Sequence, residues 1–145
     1  MEKKQYVSWI LAEKISSGNK LRTVLWCIVV LYAAGIIISS HMPTVPGTAG
    51  INRVEGGDKL SHLAIYFLFS LFFLLALKYE GYRYPVLYII TITFVAGFGA
   101  LDEAHQFFVP GRKCEIMDFV TDALAAMLAC IVFMSLTPKT NHTKP

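Results

Sequence analysis

The stretch from Asp102 through Glu103, His105 and Gln106 to Arg112 holds two adjacent carboxylates, an imidazole, an amide and a guanidinium within eleven residues. It closes an apolar run, so these groups stand where a bilayer-length segment meets water, and their cost there implies a task. An Asp-Glu pair at a helix C-terminus also opposes the helix dipole, which makes mere capping a poor explanation. Pro110-Gly111 predicts a turn that sends Arg112 back toward the membrane. Its bidentate fork then suits either a structural salt bridge or a ligand. Two further sets carry chemistry. Asp58, His62 and Tyr66 fall at i, i+4 and i+8 beside Lys59, on one helix face. One reading has Asp58 capping the helix, Lys59 snorkelling, and His62 and Tyr66 hydrogen-bonded at the interface. The other has Asp58 orienting His62 for acid–base or metal work. Asp118 and Asp122 lie one turn apart, with Asp122 about 6 Å deeper, where it is either protonated or neutralised by Arg112, Lys59, an imidazolium or a metal.

The elements that must position these groups are membrane helices. Of 145 residues 55% are hydrophobic and 16% charged, and the apolar residues run together as in a membrane protein. Four runs, about Leu21 to Ser40, Leu60 to Leu77, Tyr84 to Leu101 and Ile116 to Leu136, are each long enough to cross a hydrocarbon core of about 30 Å. Pro85 is tolerated in a first turn. Pro43, Pro46, Gly47, Gly50, Gly56 and Gly57 break the chain between the first two runs. The expected fold is therefore an all-α bundle of four transmembrane helices over residues 21–137. A cytoplasmic segment, 1–20, suited to an interfacial helix precedes it, and a cytoplasmic tail, 138–145, follows.

Nine Lys and Arg residues fall on the N-terminal segment, second loop and C-terminal tail, against four on the first and third loops, so both termini are expected to be cytoplasmic. Seven of the ten acids and His41, His62 and His105 then face outward. A signal peptide is the weaker reading: the N-terminal patch is short and followed by polar residues, and the next run, Val24 to Ile38, ends in Ser39-Ser40-His41 without a cleavage pattern. Cys27, Cys114 and Cys130 show neither disulfide nor zinc spacing; Cys27 and Cys130 read as packing residues and Cys114 as a free thiol. Small residues spaced at four (Gly35 with Ser39, Thr93 with Gly97, Ala96 with Ala100, Asp122 with Ala126, Ala125 with Ala129) predict close helix approach, in a monomer or a small homo-oligomer.

Together Asp58-Lys59-x-x-His62-x-x-x-Tyr66 and Asp102-Glu103-x-x-Gln106-x-Phe108-x-Pro110-x-Arg112, followed by Asp118, resemble the motifs of the VanZ-like family. The step Ser40-x-x-Pro43 is similar to that family's pattern too. Two positions depart: Asp122 stands where the family usually has Asn, and Ala126 where it usually has Gly. The resemblance implies an integral protein of the bacterial envelope that lowers susceptibility to teicoplanin-type lipoglycopeptides.

The residues support three functional readings. The first is an outward-facing site of Asp58, Lys59, His62, Tyr66, Asp102, Glu103, Gln106, Arg112, Asp118 and Asp122, beside the aromatic surface of Tyr66, Phe107 and Phe108. It would bind a membrane lipid, a lipid-linked wall precursor or the glycopeptide itself, with Lys59, Arg112 and Lys113 as a local phosphate clamp. No nucleic-acid partner is expected. The second is an enzyme with Glu103 or His62 as general base and Asp58 orienting the imidazole. No cofactor signature is present; a divalent metal on Asp102, Glu103, His62 and Asp118 is a variant of this reading. The third is a proton-linked carrier using Asp122, which the absence of broken helices and inverted repeats supports poorly.

Overall fold

The computed structural model describes the backbone of residues 2–42, 56–112 and 114–137, with side chains from residue 18 onward. It is all-helical: α1 (Glu2–Ser40), α2 (Gly57–Tyr79), α3 (Tyr84–Gln106) and α4 (Ile116–Leu136). Gly18–Ser40, Gly57–Tyr79, Tyr84–Gln106 and Ile116–Leu136 are each long and apolar enough to cross a membrane. Helix α1 runs unbroken from Glu2 through the boundary drawn at residue 20 into the first span. Helix α3 also continues past Leu101 to Gln106, so Asp102 and Glu103 sit on its last turns. The expected breakers Pro43, Pro46, Gly47 and Gly50, together with Arg53, Glu55, Lys113 and residues 138–145, lie outside the described residues.

Helix α2 is central and packs most extensively on α4, while α3 also packs on α4 and α1 lies against α2. The middle of the bundle is aromatic. Phe69, wholly buried, sits among Tyr32, Phe73, Phe94 and Phe98, and the Phe73 and Phe94 rings stack at 4.5 Å. Offset rings of this kind add about 0.5–1.5 kcal/mol per pair beyond the area they bury. At one end, Trp26 Nε1 donates to Glu80 Oε1 at 2.9 Å, and Arg22 lies 3.5 Å from the same carboxylate.

Close approach uses a seam other than the expected one on α3. Thr93 and Gly97 are exposed, as is Gly35 on α1, and neither glycine has a neighbour where a Cβ would stand. The buried stripe is Leu87, Thr91, Val95 and Gly99, and a Cβ on Gly99 would stand 2.7 Å from Asp122 Oδ2. Glycine there lets α4 bring a carboxylate against the α3 backbone. The α4 seam is as expected, with Asp122, Ala125, Ala126 and Ala129 buried. Of the cysteines only Cys130 is buried; Cys27 and Cys114 are exposed.

Candidate functional site

The polar groups of all four helices converge at the end marked by Ser40, Gly57, Gln106 and Ile116. After α3, Gly111 adopts φ +85°, which glycine takes without strain, and Arg112 N donates to Val109 O at 3.1 Å. The expected turn forms and brings Arg112 back over the bundle. There it lines a cavity of about 60 Å³ together with Asp58, His62, Tyr66, Asp102 and Gln106.

Around this cavity the acids are already engaged. Asp102 accepts from Ser40 Oγ, from Tyr66 OH at 3.2 Å and from Gln106 Nε2 at 3.2 Å. Gln106 Nε2 also reaches Glu103 Oε1 at 3.2 Å, and the other Glu103 oxygen accepts from the backbone N–H of Glu115 at 3.0 Å. Glu115 is the N-cap of α4, so Glu103 ties the end of α3 to the start of α4. Lys59 Nζ donates to Asp58 at 3.1 Å, Glu115 at 3.0 Å and Asp118 at 3.2 Å. That consumes all three ammonium protons.

His62 Nδ1 lies 3.1 Å from Asp122 Oδ1, and an ionised carboxylate only accepts, so Nδ1 carries the hydrogen and the Nε2 lone pair is free. Nε2 lies 3.9 Å from Asp118 Oδ2. The partner that orients the imidazole is therefore Asp122 on α4 and not Asp58, which is held by Lys59. Asp58 is not the helix cap either, since Gly56 occupies that position. The group that meets Asp122 is the His62 imidazole, while Asp122 Oδ2, fully buried, has no hydrogen-bond partner.

The salt bridge expected of Arg112 does not form: among the described residues no carboxylate lies within ion-pair distance, and its buried Nε has no partner. Of the three cations expected to form a clamp, Lys59 is committed to carboxylates, and Lys113 lies outside the described residues. Tyr66 leaves the expected aromatic surface for the core, at 1% exposure, whereas Phe107 and Phe108 are 73% and 79% exposed. Among the described residues two sets offer metal donors within 4.8 Å of one another: His62, Glu103 and Asp118, and Asp58, Glu115 and Asp118. Asp102, expected in a metal set, belongs to the Ser40, Tyr66 and Gln106 network.

Apart from this cluster, His105 Nε2 lies 3.1 Å from His41 Nε2, while His41 Nδ1 donates to Ile37 O at 2.9 Å. That bond leaves His41 Nε2 as the acceptor and His105 as the donor. Sequence reasoning missed Ser40, Glu115 and Gly99 as parts of the site. Glu115, one turn before Asp118, and Ser40, in the Ser40-x-x-Pro43 step, carried a signal in the sequence.

No curated protein and no solved structure matches the chain. The VanZ/LLP1 family matches residues 23–137. That match spans all four membrane helices and both polar motifs, and on it the chain belongs to the VanZ/LLP1 family of membrane proteins.

Proposed function

We propose that the cavity recognises a phosphate-bearing headgroup of an envelope lipid, with Arg112 as the anchoring cation and the polar end facing out of the cell. The observation that carries this reading is the buried, unpartnered Nε of Arg112 on a cavity wall whose acids are committed elsewhere. A guanidinium with spare donors suits phosphate oxygens, which it takes in a bidentate fork. The outward placement is supported by the Lys and Arg bias of the loops.

Size narrows the occupant. A cavity of about 60 Å³ has room for a few waters or one terminal phosphate group. It is far below the roughly 300–1,000 Å³ of pockets for drug-sized ligands. A glycopeptide does not fit inside. Lower teicoplanin susceptibility would follow from sequestering or altering an envelope lipid, with Phe107 and Phe108 against its apolar portion. The test is native mass spectrometry of the chain in nanodiscs holding undecaprenyl pyrophosphate or phosphatidylglycerol. One of the two should bind, and Arg112→Ala should weaken that binding about 10- to 100-fold, as expected for charge-assisted hydrogen bonds. Equal binding by Arg112→Ala sinks the reading. In a sensitive Gram-positive host, selective teicoplanin protection lost in Arg112→Ala and Glu103→Gln at matched membrane levels would tie the site to that phenotype.

A second reading rests on the His62 and Asp122 pair, the arrangement of an oriented general base. In that case the lipid is processed. His62→Gln would then keep headgroup binding and lose the product, whereas loss of both, or an unchanged lipid in the wild type, would leave the binding role alone.

A further inference from the structure

Among the described residues the charges at the polar end do not balance. Asp58, Asp102, Glu103, Glu115, Asp118 and Asp122 stand against Lys59, Arg112 and one imidazole, and Asp102, Glu103, Asp118 and Asp122 are each 7% exposed or less. Hydrogen bonds satisfy these carboxylates without cancelling their charge, and buried charge in a membrane protein calls for a counter-charge. Two places offer donors for one. At Asp58, Glu115 and Asp118 the place is already taken, because the Lys59 ammonium lies within 3.2 Å of all three. At His62, Glu103 and Asp118 the Lys59 ammonium reaches only Asp118, at 3.2 Å, and among the described residues no lysine or arginine pairs with Glu103.

We infer that His62 Nε2, Glu103 and Asp118 bind one divalent cation of the zinc or manganese class. Three observations point there together. The donor atoms lie within 4.8 Å of one another, and His62 Nε2 is 3.9 Å from Asp118 Oδ2, too long for a hydrogen bond. Metal–donor bonds of about 2.0–2.2 Å allow donors up to about 4.4 Å apart, so small rotamer shifts close the set. Asp122 holds the far nitrogen of the imidazole at 3.1 Å, which presents Nε2 as a lone pair and matches the carboxylate–histidine–metal arrangement. The buried Asp122 carboxylate, whose unpartnered Oδ2 lies against Gly99, reaches the set through that imidazole. One imidazole with two carboxylates selects against thiophilic ions, and three protein donors leave a position for water or for a phosphate oxygen. This goes beyond headgroup recognition and stands without it.

The test needs no lipid ligand. The full chain, stripped with chelator and dialysed against ZnCl2 or MnCl2 in detergent, should retain one equivalent of metal by elemental analysis. Glu103→Gln and Asp118→Asn should lose it. Asp122→Asn should keep it with affinity about 10- to 100-fold weaker, the usual effect of losing a carboxylate behind a metal-bound histidine. Glu80→Gln, at the opposite end of the bundle, should match the wild type. Zinc-edge absorption fine structure of the wild type guards against variants that fail to fold: it should show one imidazole and oxygen donors. Two imidazoles would assign the ion to His41 and His105, and sulfur would assign it to cysteine; either overturns the inference. So does a folded, helical wild type that retains no metal, or full retention by both carboxylate variants.

Discussion

Helices α2 and α3 meet twice in different chemical terms. In mid-bundle they interlock through Phe69, Phe73, Phe94 and Phe98, where rings in contact leave no polar atom in need of a partner. Toward Ser40 the same two helices present His62, Tyr66, Asp102, Glu103 and Gln106, whose burial must be compensated atom by atom. The aromatic region holds the helices together by packing alone, which suffices in a bilayer, where lipid tails are as apolar as the side chains. The polar end adds a desolvation cost that leucines would avoid. Stability is therefore expected to reside in the first region and function in the second.

The sharpest separation should come from Phe69→Ala. Removing a wholly buried ring should cost about 3–5 kcal/mol of stability in a detergent unfolding titration while leaving headgroup affinity of the folded fraction unchanged. Gly99→Ala should cost about 1–3 kcal/mol through overpacking against Asp122, whereas Gly97→Ala, facing open space on the same helix, should stay within about 0.5 kcal/mol. A similar loss from both would refute the seam. Lys59→Met strips a cation from three carboxylates. With its side chain one-third exposed, it should fall between the surface and buried limits, about 1–3 kcal/mol by the same titration. Arg112→Lys should be nearly neutral in stability, because no partner among the described residues is lost, yet it should weaken headgroup binding by removing the fork.

The four spans were legible because an apolar run of bilayer length identifies itself without reference to its neighbours. So were the Asp58, His62 and Tyr66 face and the Pro110-Gly111 turn, which depend only on local geometry. The pairings across helices were not. Asp58 is the helical neighbour of His62 in sequence, but Asp122 is its partner, and that choice depends on the register of α4 against α2 and α3. Gly99 sets that register locally, and nothing marks it over Gly97 in a helix that is apolar nearly all round and so shows no preferred face. Ser40 and Glu115 were hidden for the same reason: each acts on a residue of another helix.

The most direct test of the division between packing and function is ligand-induced stabilisation measured on one pair of proteins. Wild type and Arg112→Ala would be melted in detergent with and without the headgroup lipid at about 100 times its dissociation constant. The wild type should gain about 2.7 kcal/mol, while Arg112→Ala should unfold as the wild type does without lipid and, with binding about 10- to 100-fold weaker, gain only about 0.4–1.4 kcal/mol with it. Equal gains in both proteins would show that Arg112 does not anchor the headgroup, and a variant already destabilised without lipid would show that Arg112 belongs to the scaffold.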